Sequence, residues 1–362
     1  MNSHLPPHKK TVVVGMSGGV DSSVTALLLK EQGYKVIGMF MKNWEDEEDG
    51  ICPAAADFAD VAAVCSQLKI PYYSVNFAKE YWDLVFSRCL EDFRAGYTPN
   101  PDILCNREIK FNIFFKKALE LGGDFLATGH YCRNLEIDGE NKLAKGLDPN
   151  KDQSYFLYTI KKEILSKVLF PIGEMHKVQI REIALKHDLI TAKKKDSTGI
   201  CFIGKQAKFK TFLNKYIAQN PGNFENLKGE VVGKHDGLSF YTIGQRKGLN
   251  IGGPGEAWYV LSKDSNRNVV IIDQGEDNAA LHRLNLVATE ITWVSGQPPK
   301  LPFRCCAKIR YRQEDAPCMV EKIDGDQIYV SFDRPQKAIT PRQSIVFYDG
   351  DICLGGAIIA ET

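Results

Sequence analysis

The chain has no run of about 18 apolar residues, the length a membrane-crossing helix needs. Nor does any of its 362 residues open a Cys-x-x-Cys pair, the strongest sequence mark of a zinc site, so no metal-ligating residues are expected. Charge of one sign is equally scarce: 46 Lys and Arg stand against 45 Asp and Glu, a net charge of +1. Nothing global therefore announces a nucleic-acid or membrane partner, and any basic surface must be local. The opening MNSHLPPHKK has no apolar stretch behind its basic residues, so no signal peptide is expected and the expected location is the cytoplasm. In that compartment the ten cysteines should be mostly reduced thiols. No internal repeat or low-complexity tract occurs. A length of 362 exceeds what one hydrophobic core organises, so two or three domains are expected.

What is present divides by periodicity. Thr11 to Met16 is a continuous β-branched run, the pattern of a buried parallel strand, and Val20, Val24, Leu27 and Leu28 then share one helical face. KVIGMF (from Lys35), PYYSVNF (from Pro71) and DFLATG (from Asp124) read as further strands. Ala54 to Leu68, Tyr81 to Ala95 and Ile109 to Leu121 read as the helices between them. Such alternation predicts an α/β doubly wound parallel sheet. It fades after Leu189, and Lys186 to Lys215 carries eight lysines against two aspartates. A Gly-rich segment of short strands follows. Beyond Ala280 the pattern is all β, with short strands at close spacing, as in a small barrel or sandwich.

Between the first strand and helix lies GMSGGVDSS, Gly15 to Ser23. Glycines opening a helix aim backbone N–H groups and the positive helix end at an anion, with Ser17, Ser22 and Ser23 as added donors. The segment fits neither G-x-x-x-x-G-K-[ST] nor G-x-G-x-x-G, because the lysine of the first is missing. The local alternative is an ordinary βα turn capped by Asp21 and Ser22.

Cys65, Cys89, Cys305 and Cys353 sit on apolar stripes and read as small core residues. Two others differ. Cys105 lies in YTPNPDILCNREIKF, where Pro99 and Pro101 exclude a regular helix, so a rigid loop before a helix N-terminus is expected. Cys201 lies in KKKDSTGICFIGK, beside three lysines. Both settings favour a thiolate, although burial of either thiol in a core remains the alternative.

SGGVDSS resembles the pyrophosphate loop of the N-type ATP pyrophosphatases, which attack the α-phosphorus and must cradle a departing pyrophosphate, so the absent lysine is explained. More specifically, GMSGGVDSS, FMKNWED, TPNPDILCNREIKF, ATGHY, DPNKDQSYFLY, KKKDSTGICFIG, GQRKGL, RYRQ and CLGGAII occur in the order found in the tRNA-specific 2-thiouridylases. The likeness runs from about Lys10 to the C-terminus. The one local difference is a short GGPGEAWYV turn where family members often carry a longer insertion.

That resemblance implies a catalytic domain of the adenine nucleotide alpha hydrolase type over residues 1–210, a small central domain over 211–278 and a tRNA-binding β-barrel over 279–362. It implies ATP with Mg2+, bound by Gly15, Met16, Ser17, Gly18, Gly19, Val20, Asp21, Ser22, Met41 and Gly129. Asn100, Pro101 and Asp102 would meet the target base, with Asp102 as acid/base; its alternative is a loop aspartate closing an Asx-turn. Cys201 would carry a persulfide, and Cys105 would help release its terminal sulfur, leaving a disulfide between the two. His130, Lys151, Asp152, Gln153, Arg310, Tyr311 and Gln343 would touch tRNA. The implied partners are tRNAs with Lys, Glu or Gln type anticodons and a sulfur-relay protein or cysteine desulfurase, with no membrane. The implied reaction is 2-thiolation of the wobble uridine.

In FRCCAKIRYR, strand period places Arg304, Lys308, Arg310 and Arg312 on one face, a possible phosphate-neutralising stripe or simply a solvated face. Two other functional classes are open to the same loop: a pyrophosphate-loop amide ligase or amidotransferase, and a catalytically silent RNA-binding module.

Overall fold

The computed structural model describes residues 7–45, 53–196 and 209–361. In its first part β1 (Thr11–Gly15), β2 (Lys35–Lys42), β3 (Tyr72–Asn76) and β4 (Phe125–Ala127) are followed by a hairpin, β5 (Cys132–Ile137) and β6 (Glu140–Lys145), and by the short β7 (Val168–Leu169). Five of these strands form a parallel sheet in the order β3-β2-β1-β4-β7. Val12, Val13 and Val14 of the central strand are fully buried, as an unbroken β-branched run covered on both faces should be. Helices α1 (Val20–Glu31) and α2 (Pro53–Leu68) follow β1 and β2. Strand order reverses between β1 and β4, and in open α/β sheets the ligand crevice lies outside the carboxyl ends of the strands at such a point.

One expected element is corrected here. Pro101 does not exclude a helix but starts one: it occupies the first helical position, where the missing N–H costs nothing, and Asn100 is the N-cap, its Oδ1 accepting from Ile103 N at 3.4 Å. Segments Pro101–Leu104, Cys105–Phe114 and Phe115–Glu120 then follow one another directly, the middle one π-wound and kinked at Phe111 (φ −98°, ψ 20°), an irregularity frequent at functional sites. Cys105 is thus a buried helical residue one turn in, not part of a loop ahead of the helix.

The central part has β8 (Gly222–Glu225), β9 (Val231–His235), β10 (Trp258–Asp264) and β11 (Val269–Gln274), ordered β10-β11-β8-β9 around Phe224, Tyr241, Val260, Val270 and Ile272. The last part has β12 (His282–Trp293), β13 (Phe303–Lys308), β14 (Ala316–Asp324), β15 (Gln327–Lys337), β16 (Ser344–Asp349) and β17 (Ile352–Glu361). These run β12-β15-β14-β13-β16-β17, and β12 also pairs with β17, so these six strands close into a barrel. The hairpin β5–β6, which apolar periodicity does not mark, extends this sheet through the pairing of Ala144 with Ile352. The parallel-sheet part and the barrel also share a core that contains Cys105, Ile109, Tyr155, Tyr158, Val346 and Tyr348.

Candidate active site

The phosphate-loop candidate lies at the carboxyl end of β1. Met16 N–H donates to the Met39 carbonyl at 2.9 Å, and Ser17 N–H to Ser22 Oγ at 3.2 Å. Gly18 has φ +71°, and a Cβ there would lie 2.5 Å from the Asp57 carbonyl oxygen, so only glycine fits. Gly19 is the N-cap of α1, and no side chain caps that helix. Asp21 and Ser22 therefore do not play the capping part open to them by spacing. Ser22 Oγ donates back to the Gly19 carbonyl at 3.1 Å, and Asp21 points across the site.

The Asp21 carboxylate accepts from Tyr131 Oη at 2.7 Å and from Lys177 Nζ at 2.7 and 2.8 Å. Gly129, just beyond β4, packs against the loop so closely that a Cβ would meet Asp21 C and Ser22 N at 3.0 Å. Met16 and Val20 bury their side chains in the core, leaving only backbone for a ligand, and Met41 lies half-buried near the carboxyl end of β2.

The positive charge absent from the loop sequence arrives from elsewhere. Lys194 donates to the Gly18 carbonyl at 2.8 Å and to Asp57 at 2.8 Å, and also pairs with Asp60. Lys177, on the helix Lys177–Lys186, bridges Asp21 to Asp196 at 2.8 Å. Asp196 in turn holds Lys151 and Arg181, each at 2.7 Å. Burial pushes the Asp196 carboxyl up, but its hydrogen bonds with Lys151 and Lys177 and their charges outweigh this and hold it at about 2. Neither Lys177 nor Asp196 was singled out by sequence. Tyr131 and Asp196 lie inside quoted motifs, whereas Lys177 lies in none. Lys194 belongs to the three lysines expected to make the Cys201 segment electropositive, and it is neutralised by Asp57 and Asp60.

A second cluster forms on the helix begun by Pro101. Asp102 is open to solvent on one side and crowded by protein on the others; desolvation raises its carboxyl, an effect partly offset by the Lys110 charge. Lys110 also faces His130, whose imidazole is driven well below its ordinary range by burial first and by that charge second. His130 is 8% exposed, shares a 2.8 Å hydrogen bond between Nδ1 and Thr128 Oγ1, and packs on Phe111. It is a neutral, satisfied side chain beneath the helix begun by Pro101. Cys105, 2% exposed, sits one turn beyond Asn100 and Pro101, and the following Asn106 donates through Nδ2 to the Phe156 carbonyl at 3.3 Å. Cys201 lies outside the described residues.

Of the residues expected at tRNA, Tyr311 packs on Phe156 with the rings tilted and their centroids 4.6 Å apart, and Gln343 donates to the Thr98 carbonyl at 2.5 Å, so both lie close to the Cys105 helix and its lead-in. Arg310 is exposed, with its guanidinium on the Lys337 carbonyl. Lys151 belongs instead to the Asp196 group, and Gln153 Oε1 accepts from Tyr131 N at 3.0 Å. Asp152 is buried, taking the N–H groups of Gly146 and Ser154. The expected basic stripe is also corrected: β13 ends at Lys308, which turns inward to Asp152 and Asp315 at 3.8 and 3.6 Å, so only Arg304, Arg310 and Arg312 stay exposed.

A parallel-sheet domain with a glycine cradle at its switch point, joined to two β domains that close over one helix start, defines a nucleotide-binding enzyme of the doubly wound class. Three family profiles match successive stretches of the chain. One described as "tRNA methyl transferase HUP domain" matches residues 10–205, a "PRC-barrel domain" of the same set matches 210–274, and an "Aminomethyltransferase beta-barrel domain" matches 283–359. The chain is 58% identical over 356 residues to a protein of Protochlamydia amoebophila named tRNA-specific 2-thiouridylase MnmA, covering 98% of this chain and 94% of that one. Proteins of the same name from Exiguobacterium sibiricum and Bacillus cytotoxicus are 55% and 56% identical, each covering 98% of this chain and 95% and 96% of theirs. The chain belongs to the tRNA-specific 2-thiouridylase family and is a tRNA-uridine sulfurtransferase. Membership sets aside the amide-ligase and silent RNA-binding alternatives. No helix among the described residues is long and apolar enough to cross a membrane.

Proposed function

We propose that the enzyme replaces O2 of the wobble uridine with sulfur by adenylating that oxygen with ATP and displacing AMP with persulfide sulfur. The observation that supports this reading is the shared helical turn of Asn100, Pro101, Asp102 and Cys105, a carboxyl and a thiol on one element. Uracil C2 is a poor electrophile with a poor leaving oxygen, and conversion of that oxygen into the phosphate of AMP supplies the leaving group. The uncapped start of α1, Gly18, Gly19 and the close approach of Gly129 fit a departing pyrophosphate, with Ser17 and Ser22 as donors and Lys177 and Lys194 as nearby charge. Mg2+ would be held largely by the phosphates of ATP, as is usual for this ion, and would neutralise charge on the departing pyrophosphate.

Asp102, its carboxyl raised by its surroundings, handles the uridine N3 proton. Cys201 carries the persulfide delivered by a sulfur-relay protein or cysteine desulfurase. Its terminal sulfur either attacks C2 directly or leaves as sulfide when the Cys105 thiolate attacks the inner sulfur. In both routes the sulfane sulfur takes two electrons, the two cysteines end as a disulfide, and a thiol reductant resets them. Arg310, Tyr311 and Gln343 on the barrel side serve the tRNAs with Lys, Glu or Gln type anticodons, while Lys151, Asp152, Gln153 and His130, tied to protein partners, support that surface from behind. The test is the pair of single variants Cys105→Ser and Cys201→Ser. Each is expected to abolish thiolation while tRNA binding persists, and thiolation surviving in either one contradicts the assignment.

A further inference from the structure

The six residues between the helix Ser87–Arg94 and the helix start at Pro101 are held from outside their own domain. The first helix closes with Gly96 at φ +82°, Gly96 N–H bonding the Phe93 carbonyl and Tyr97 N–H the Asp92 carbonyl, each at 2.9 Å. That closure leaves the Gly96 carbonyl without a helical donor. Lys263 of β10 supplies one: its Nζ lies 2.5 Å from Gly96 O, a cation at a helix carboxyl end, and loss of hydration there pushes its ammonium down to about 8. Ser239 Oγ donates to the Phe93 carbonyl at 2.7 Å, and Leu238 packs over Gly96.

Two residues further on, Thr98 Oγ1 shares a 3.1 Å hydrogen bond with Thr242 Oγ1, and the Thr98 carbonyl is the acceptor for Gln343 of the barrel. Arg342 lies over the Tyr97 ring at 5.8 Å and pairs with Asp92 at 3.0 Å. Pro99 then leads into Asn100. A loop that needed only to connect two helices would satisfy these carbonyls with water, at the surface where loops run. Here both accessory domains contribute specific donors to consecutive residues, and the next residues are Asn100, Pro101 and Asp102.

We infer that Lys263 and Thr242 of the central domain are positioning residues for thiolation, fixing the 96–100 loop so that Asn100, Pro101 and Asp102 meet the base in productive register. This rests on the proposed role of that segment. It assigns the central domain a part in the chemical step, because displacement of about 1 Å in a reacting group costs rate far more than it costs binding. The full-length protein with Lys263→Met, Thr242→Val or Thr242→Ser is assayed for single-turnover thiolation at saturating tRNA and ATP, for tRNA affinity and for thermal midpoint, beside Asp102→Asn.

Lys263→Met and Thr242→Val are each expected to lower the turnover rate about tenfold, with tRNA affinity within about twofold of wild type and the protein folded at the assay temperature, while Thr242→Ser keeps the wild-type rate. Unchanged rates in Lys263→Met and Thr242→Val, or a rate loss matched by an equal loss of tRNA affinity, overturn the inference. If Lys263→Met does not fold, the Thr242 pair decides. A loss in Asp102→Asn with none in the two clamp variants overturns the clamp alone. A loss in the clamp variants with none in Asp102→Asn upholds the clamp and removes the acid/base reading of Asp102.

Discussion

Asp196 faces three cations, Lys151, Lys177 and Arg181, and through Lys177 it is tied to Asp21 on the phosphate-loop helix. Because its folded pKa is depressed to about 2, its contribution to stability is fully present above the ordinary aspartate range and is lost as pH falls through the folded value. Asp196→Asn is therefore predicted to lower the thermal midpoint near pH 6 by the equivalent of about 1 kcal/mol, a figure already reduced for solvent screening. The gap to wild type should close between about pH 4 and pH 2. A gap that persists at the acid end would show that the carboxylate charge is not what matters. The glycines and serines of the loop were legible because their spacing is local. Lys177 was not, since it lies 156 residues from Asp21 and carries no pattern of its own.

The phosphate loop is an element whose shape depends on two close approaches, Gly18 against Asp57 and Gly129 against the start of α1. Gly18→Ala combines a left-handed backbone with an overlap against a carbonyl. It is predicted to cost about 1–3 kcal/mol of stability and at least tenfold in ATP-dependent thiolation, read by thermal melting and by rate against ATP concentration. A wild-type ATP dependence in that variant would remove the loop from the reaction. The parallel strands were legible from their apolar runs, and the barrel strands from alternation and turns. The start of the Cys105 helix was misread because proline breaks helices in their interior yet favours their first position. The run FRCCAKIRYR continued its alternation past Lys308, where pairing stops and Arg312 takes φ +64°. Periodicity reports which face is buried, not where hydrogen bonding ends.

Across the whole molecule the catalytic part and the barrel are joined by buried tyrosines of the DPNKDQSYFLY motif. Tyr155 Oη donates to the Ser344 carbonyl at 2.9 Å, Tyr158 Oη meets Ser344 Oγ at 3.1 Å, and Ser154 Oγ meets Tyr348 Oη at 3.1 Å. Sequence could not assign these side chains to an interface, because a buried aromatic reads alike whichever domain covers it. Their effect is to hold the barrel, the loop before Asn100 and the Cys105 helix in one frame, and the proposed reaction requires that frame to bring a base drawn from the anticodon stack to nucleotide and sulfur together. The most direct test of that convergence uses tRNA whose wobble uridine carries a heavy-oxygen label at the C2 carbonyl, incubated with enzyme, ATP, magnesium and a sulfur source, with all products weighed by mass spectrometry. Adenylation of O2 followed by displacement predicts that the label leaves in the phosphate of AMP as sulfur enters the tRNA. Label found in water, in pyrophosphate or still in the thiolated tRNA would contradict it.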